Sequence, residues 1–432
     1  MKLNETHVRF LALLWVILYG TSPLNAQTSI TRQPNIIFIM SDDHACKAIS
    51  SYDSTLCMTP QIDRLSKNGI RFTNCFCTNA VCGPSRACIL TGNLTHINGM
   101  INNDVIFDSS QVTLPKILKT AGYQTAIVGK WHLKSTPSGF DFWKILPGQG
   151  EYYNPDFITN GIQKRETGYV TNLIASSAME WMEHRDQSKP FFLMINNKAP
   201  HKPWLPEMKY AMLYDTANIP VPENFFDNYS NRASAAASQQ MMIARDLIYT
   251  TDLKMGEKVN DDNNAQINFG RLSLEEQKQW DSIYAKRNST LLNQKSEQQI
   301  ATFKYKRFIS DYLATIKSVD DNIGFILDYL ERNQLMDNTI IVYTSDQGYF
   351  LGEHGWFDKR WIFEESLRTP LLIRWPGVIK PGGVNKDMVA NIDFGPTFLD
   401  AAGLPVPGEM HGRSMVSILK GQTPAEIGRA HV

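Results

Sequence analysis

Four short runs of β-branched and aromatic residues, 35–40, 125–128, 191–195 and 339–343, each stop abruptly at polar residues. The polar stretches are Ser41-Asp42-Asp43-His44, Gly129-Lys130-Trp131-His132, residues 196–201 ending on His201, and Thr344-Ser345-Asp346-Gln347-Gly348. Apolar character that is continuous rather than alternating marks strands buried on both faces, as in parallel sheets. Between them a helical period runs over 60–67, 114–121 before Gly122, 170–184, 308–332 and 393–402 before Gly403. Strand and helix alternate, so the expected class is α/β, with a large, mostly parallel sheet flanked by helices. Such sheets bind ligands beyond the carboxyl ends of their strands, and every polar cluster falls at such an end. One shared site is therefore expected.

Residues 206–304 break this pattern. They are rich in Asn, Gln, Lys and Asp with few apolar runs, and read as a surface insertion of helices and loops, either a lid over the site or a solvated excursion. At the start, Lys2, His7 and Arg9 precede the apolar run 10–19 and small residues up to Ala26, the pattern of an export signal over residues 1–26. That run is too short to span a bilayer, so the mature chain is expected to start near Gln27 and to be periplasmic or secreted. Lys and Arg total 43, as do Asp and Glu, so no net charge favours nucleic acid or an anionic membrane, and any anion site must be local.

All six cysteines lie between residues 46 and 88. Their spacing lacks the C-x2-C of common zinc sites. In an exported chain Cys46, Cys57, Cys75, Cys77 and Cys88 leave room for one or two disulfides, with the pairing open. Cys82 stands apart, in Val81-Cys82-Gly83-Pro84-Ser85-Arg86. Proline suits a first helical turn, so a helix is expected to begin here with Cys82 near its N-cap and free N–H groups facing whatever that residue carries. The helix dipole would add about 0.3–1 kcal/mol toward an anion.

Cys82, Pro84, Ser85 and Arg86, followed by Leu90-Thr91-Gly92, resemble the signature of the type I, formylglycine-dependent sulfatases of the alkaline-phosphatase-like superfamily. The resemblance runs from Pro34 to about Lys420. It implies that Cys82 is oxidised by a formylglycine-generating maturase to an aldehyde whose hydrate is the nucleophile. It also implies that Asp42, Asp43, Asp346 and Gln347, with the converted Cys82, hold one Ca2+; oxygen donors of this kind suit a hard cation. Gln347 departs from the Asn or His more frequent in the family and adds a methylene. By the same resemblance Arg86 steadies the aldehyde hydrate and the metal carboxylates, and Lys130 binds sulfate. His132 contacts the formylglycine hydroxyl, and His201 and Lys359 lie near the leaving oxygen. A sulfate monoester is an anion that repels nucleophiles, so such a set would neutralise charge before attack. A serine at position 82 would stop at a stable sulfate ester, whereas a hydrate keeps a second hydroxyl through which sulfate can be expelled.

The domain plan implied is a catalytic domain over 34–410 and the start of a smaller C-terminal subdomain over 411–425. Residues 426–432 back-translate to a sequencing adapter and read as a non-native tail on a truncated fragment. Truncation would leave apolar residues of 410–419 uncovered. Gly352-Glu353-His354-Gly355 and Asp358-Lys359-Arg360-Trp361 resemble the substrate loop of bacterial sulfatases acting on sulfated glycans, including 6-O-sulfated N-acetylglucosamine. His354, Asp358 and Arg360 are the candidate specificity residues, with Lys130, His201 and Lys359 on the sulfate. The bland alternative pairs Glu353 and Arg360 with each other or with Glu364. Two other functions fit the same residues: a phosphate or phosphonate monoester hydrolase, and a non-catalytic binder of sulfated glycans in which Cys82 stays a thiol.

Overall fold

The four apolar runs form adjacent strands at the centre of an eleven-stranded sheet. The computed structural model describes residues 33–215, 217–255, 271–289 and 296–422. The export-signal and tail segments, 1–26 and 426–432, lie outside them. The described residues from Pro34 onward make up one compact unit. The central strands are β1 (Asn35–Ser41), β3 (Gln124–Lys130), β7 (Phe191–Asn197) and β8 (Thr339–Ser345). They stand in the order β8-β1-β7-β3, all parallel. Strand β4 (Phe142–Leu146) extends the parallel core beside β3, and β5 (Asp156–Thr159) and β6 (Ile162–Arg165) follow antiparallel. On the other side β11 (Arg368–Arg374) runs antiparallel between β8 and β2 (Ile70–Phe76), and the short strands β12 (Gly383–Asn385) and β13 (Val389–Ala390) pair parallel to β2. A separate two-stranded ribbon joins β9 (Phe350–Leu351) to β10 (Phe357–Asp358).

Both faces of the sheet are covered, which is why the central strands could not show polar alternation. Ile36, Phe38 and Met40 of β1 point to one side. There they pack with Ala87, Ile89 and Leu90 of α2 (Cys82–Thr91), Leu118 of α3 (Leu114–Thr120), and Phe394 and Phe398 of α7 (Phe394–Ala401). Ile37 and Ile39 point to the other, against α1 (Pro60–Lys67), α4 (Val170–His184) and α6 (Glu297–Arg332). Helix α6 has 36 residues and would span about 54 Å at the usual rise. It starts on a Ser296–Gln299 capping box, eleven residues before the position at which the apolar period becomes evident.

Three expectations change here. The cysteines form no disulfide; all six are free, and five are buried. Residues 206–304, described in part, are not simply a solvated excursion. Ile219, Phe225, Ile243, Leu247, Leu253 and Met255 are buried with the first turns of α6, and Trp280 and Tyr284 of α5 (Leu274–Asn288) join the core on the helix α4 side. Apolar residues scattered singly along irregular backbone built this cluster, and a periodicity search misses them. Finally, Met410, Met415 and Leu419 are buried in the same core cluster as Ile89 and Phe394, so 410–419 is covered by the catalytic body itself.

Candidate active site

The carboxyl end of β1 delivers Asp42 and Asp43, and that of β8 delivers Asp346 and Gln347; the parallel register pairs Ser41 with Ser345, so the two acidic turns leave the sheet side by side. Asp43 adopts φ 68°, the left-handed region that side chains other than glycine avoid. It is held there by α6: the Tyr312 hydroxyl donates to the Asp43 carbonyl at 2.7 Å and accepts from Ala45 N–H at 2.9 Å. Asp43 N–H also donates to Asp346 Oδ1 at 3.2 Å. One carboxylate oxygen from each of Asp42, Asp43 and Asp346 lies within 4.8 Å of the others, all three residues being buried.

Cys82 opens α2 as its first residue, with Val81 at the N-cap. Its Sγ lies 3.3 Å from Asp42 Oδ1 and 3.5 Å from Gln347 Nε2. The helix is bolted to the acidic turn. Ser85 Oγ donates to the Asp346 carbonyl, and Asn391 donates to Ser85 Oγ at 2.9 Å. Arg86 reaches Asp346 Oδ2 through Nε at 3.0 Å and Nη2 at 2.8 Å, and donates Nη1 to the Lys130 carbonyl at 2.7 Å. Arg86 thus braces the Asp346 carboxylate. The helix start is less open than the sequence implied, because Gly83 N–H is taken by Asn103 Oδ1 at 2.9 Å.

Cations close the ring. Gly129 sets Lys130: its φ of 104° and the approach of the Asn196 carbonyl, which a Cβ would overlap, turn the end of β3 so that the next side chain enters the site. The Lys130 ammonium pairs with Asp42 and also donates to Gln149 Oε1. Lys359 Nζ lies 2.6 Å from both oxygens of Asp43. His201 Nε2 stands 3.8 Å from Asp43 Oδ2 while its Nδ1 meets the Lys202 carbonyl at 2.8 Å. His132, at φ 57°, keeps a buried Nδ1 with no hydrogen-bond partner among the described residues.

The electrostatics follow from this crowding. Burial alone would raise Asp42, but Lys130, with Arg86 and Lys359, holds its carboxyl well below the usual range. Burial raises Asp43 in spite of Lys359, and burial with the Asp42 charge pushes Asp346 up to about 7. Burial, and then the Asp42 carboxylate, push the Cys82 thiol up to about 12, so the encoded side chain is a poor thiolate. Burial and the Lys130 charge bring His132 down to about 2, and the same two causes hold His201 well below its ordinary value, so both imidazoles are neutral.

The donor set fits a hard divalent cation. Three carboxylates converge, two of them pressed upward by burial and mutual repulsion. Gln347 Oε1 is buried without a partner while its amide nitrogen faces Asp42 and Asp43. Turning that amide over would aim an oxygen at the same point. Asp42, Asp43, Asp346 and Gln347 would be the holders.

Of the sugar-side candidates, Asp358 and Arg360 are held together beside Lys359, while His354 packs into a separate aromatic cluster. Asp358 and Arg360 flank Lys359, both at positive φ (75° and 96°), and pair with each other, Arg360 being half exposed. His354 donates from Nδ1 to Asp227 Oδ2 at 2.8 Å, its ring against Trp356 and Phe363. The alternative pairing fails: Glu353 binds Lys47 at 2.6 Å, and Glu364 pairs with Arg368. Sequence reasoning missed Gln149 and Lys198. Gln149 is flanked by two glycines just after β4, and Lys198 lies in the polar run after β7, but neither type stood out there.

A large sheet with helices on both faces, carrying a carboxylate cluster and a converging nucleophile helix at its strand ends, defines an alkaline-phosphatase-like hydrolase. The chain belongs to the Sulfatase family, whose model matches residues 34–404, and it is a sulfuric ester hydrolase. It is 46% identical over 416 residues to an N-acetylglucosamine-6-O-sulfatase of Bacteroides thetaiotaomicron, covering 94% of this chain and 75% of the relative. It is 29% identical to the N-acetylglucosamine-6-sulfatase of Homo sapiens, covering 95% and 68%. A solved structure of a protein in complex with its substrate D-glucosamine-2-N,6-O-disulfate superposes with a TM-score of 0.89 at 46% identity, covering 92% of this chain and 82% of that one.

Proposed function

We propose that this sulfatase removes the 6-O-sulfate of N-acetylglucosamine or N-sulfated glucosamine units in sulfated glycans, using a formylglycine made from Cys82 by a maturase and one bound Ca2+. The observation that carries the reading is the convergence of the Asp42, Asp43 and Asp346 carboxylates, with Asp42 and Gln347 set against the sulfur of position 82. The likeness to two N-acetylglucosamine sulfatases and to a protein bound to a 6-O-sulfated glucosamine supports the substrate class.

In this reading an aldehyde at position 82 supplies, as its hydrate, an oxygen nucleophile and a second hydroxyl. Calcium, when bound, supplies positive charge beside that nucleophile and the sulfate oxygens. The remaining work falls to the chain's own residues. Lys130 and Lys359, both buried, bind the sulfate oxygens in a site where water no longer screens them. Neutral His132, with a free Nδ1, takes a proton at position 82. Lys359, or His201 once it has taken up a proton at Nε2, gives a proton to the departing sugar oxygen. Asp358 and Arg360 meet sugar hydroxyls, with His354 held separately by Asp227. Their left-handed backbone is the kind of strain that binding sites retain. Export to the periplasm or beyond suits a polymeric substrate, and among the described residues no helix is long and apolar enough to cross a membrane.

Sulfate release from 6-O-sulfated N-acetylglucosamine tests this, run beside the 3-O- and 4-O-sulfated sugars and an aryl phosphate. The 6-O-sulfate should be preferred by at least about tenfold in kcat/KM, the scale of a few oriented hydrogen bonds. Equal rates on all positions, or faster phosphate release, would defeat the proposal.

A further inference from the structure

Lys198 is a buried lysine beside the site that makes no ion pair among the described residues, although Glu151, Asp42 and Asp43 act on it from a distance. It lies just past β7, 2% exposed, with its Nζ 4.9 Å from the centre of the Tyr152 ring. Its hydrogen bond goes to the carbonyl of Gln149 at 3.2 Å. Gln149 in turn accepts from the Lys130 ammonium through its side-chain oxygen. The Gln149 turn has little stiffness of its own, because Gly148 and Gly150 flank it, both at positive φ (54° and 70°). Tyr152 ties the arrangement to the neighbouring catalytic candidate, since its hydroxyl donates to the His201 carbonyl.

A buried lysine is costly, and a cation–π contact with one carbonyl returns only part of that cost. A structural role would be filled more cheaply by Met or Leu. Fixing Gln149 is a reason to keep the charge. Lys130 otherwise has a single anchor, the Asp42 carboxylate, which would draw the ammonium toward the metal carboxylates and away from sulfate. The Gln149 oxygen pulls from the opposite partner and leaves the ammonium between the two.

We infer that Lys198 is a positioning residue which acts through Gln149 to set the Lys130 ammonium for sulfate. The inference rests on the proposed role of Lys130, and a double-mutant cycle on the aldehyde-bearing enzyme tests it separately from that role. Lys198→Met and Gln149→Ala are each expected to raise KM for 6-O-sulfated N-acetylglucosamine about tenfold with kcat within about threefold, since ground-state sulfate binding is what they loosen. The double variant should match the worse single variant, because Lys198 has nothing left to position once the Gln149 side chain is gone. Multiplying effects, or an unchanged KM in Lys198→Met, would overturn the inference. Melting curves accompany the kinetics, and if Lys198→Met melts below the assay temperature, Lys198→Gln replaces it with the same expectation. Lys130→Ala in the same series separates the failures. If Lys130→Ala loses activity while Lys198→Met keeps wild-type KM, this inference alone falls. If Lys130→Ala retains full activity, the sulfate-binding role falls with it.

Discussion

Single side chains in this site are placed by contacts from distant parts of the chain, and Asp43 shows it best. A non-glycine residue at φ 68° costs about 1–2 kcal/mol, and two hydrogen bonds to one tyrosine of α6, 269 positions away, offset that cost. Tyr312→Phe is therefore expected to destabilise the fold by about 1–2 kcal/mol in urea unfolding, more than a surface substitution would. It should also weaken metal binding, because one carboxylate of the set loses its fixed backbone. Unchanged metal affinity in Tyr312→Phe would mean that Asp43 holds its conformation without help. The cysteines make the converse point. Clustering suggested disulfides, yet burial alone accounts for the free thiols, each a small apolar side chain in a packed core.

At the scale of elements, the turn at each strand end decides what enters the site. Gly129 is the clearest case, since both its positive φ and the Asn196 carbonyl exclude a side chain. Gly129→Ala is expected to cost about 2–4 kcal/mol, through strain and a backbone shift, and to displace Lys130. Thermal melting and sulfate release should fall together; a stable, fully active variant would contradict this account of β3. The central strands were legible as continuous apolar runs, α1 and α4 from a helical period, and α2 from the proline of its first turn. The strands β2, β11, β12 and β13 were not, because their residues owe strand conformation to cross-strand partners hundreds of positions away, such as Thr369 beside Cys75. The metal and nucleophile candidates were legible because Asp, Cys and His after an apolar run are uncommon and chemically distinctive. Gln149 and Lys198 were hidden because only the folded backbone brings them to Lys130.

For the whole molecule, the site is a seam: β1, β3, β7 and β8 meet α2, the middle of α6 and the loop carrying Lys359. Loading the carboxylate set should therefore couple to global stability. Calcium at a hundredfold excess over its Kd would contribute roughly 2.7 kcal/mol, seen as a rise of a few degrees in Tm. Asp346→Asn should abolish that rise, and its own Tm without calcium should fall, because the buried Arg86 guanidinium loses the carboxylate it is bonded to. An undiminished calcium shift in Asp346→Asn would show that the ion binds elsewhere. The central claim, that position 82 works as an aldehyde, is tested most directly on the tryptic peptide spanning residues 72–86 after thiol alkylation. This peptide holds Cys75, Cys77 and Cys82. The account expects active enzyme to yield the peptide alkylated at Cys75 and Cys77 only, hydrazide-reactive at position 82, with turnover proportional to that fraction. Fully active protein whose peptide is alkylated at all three cysteines would contradict it.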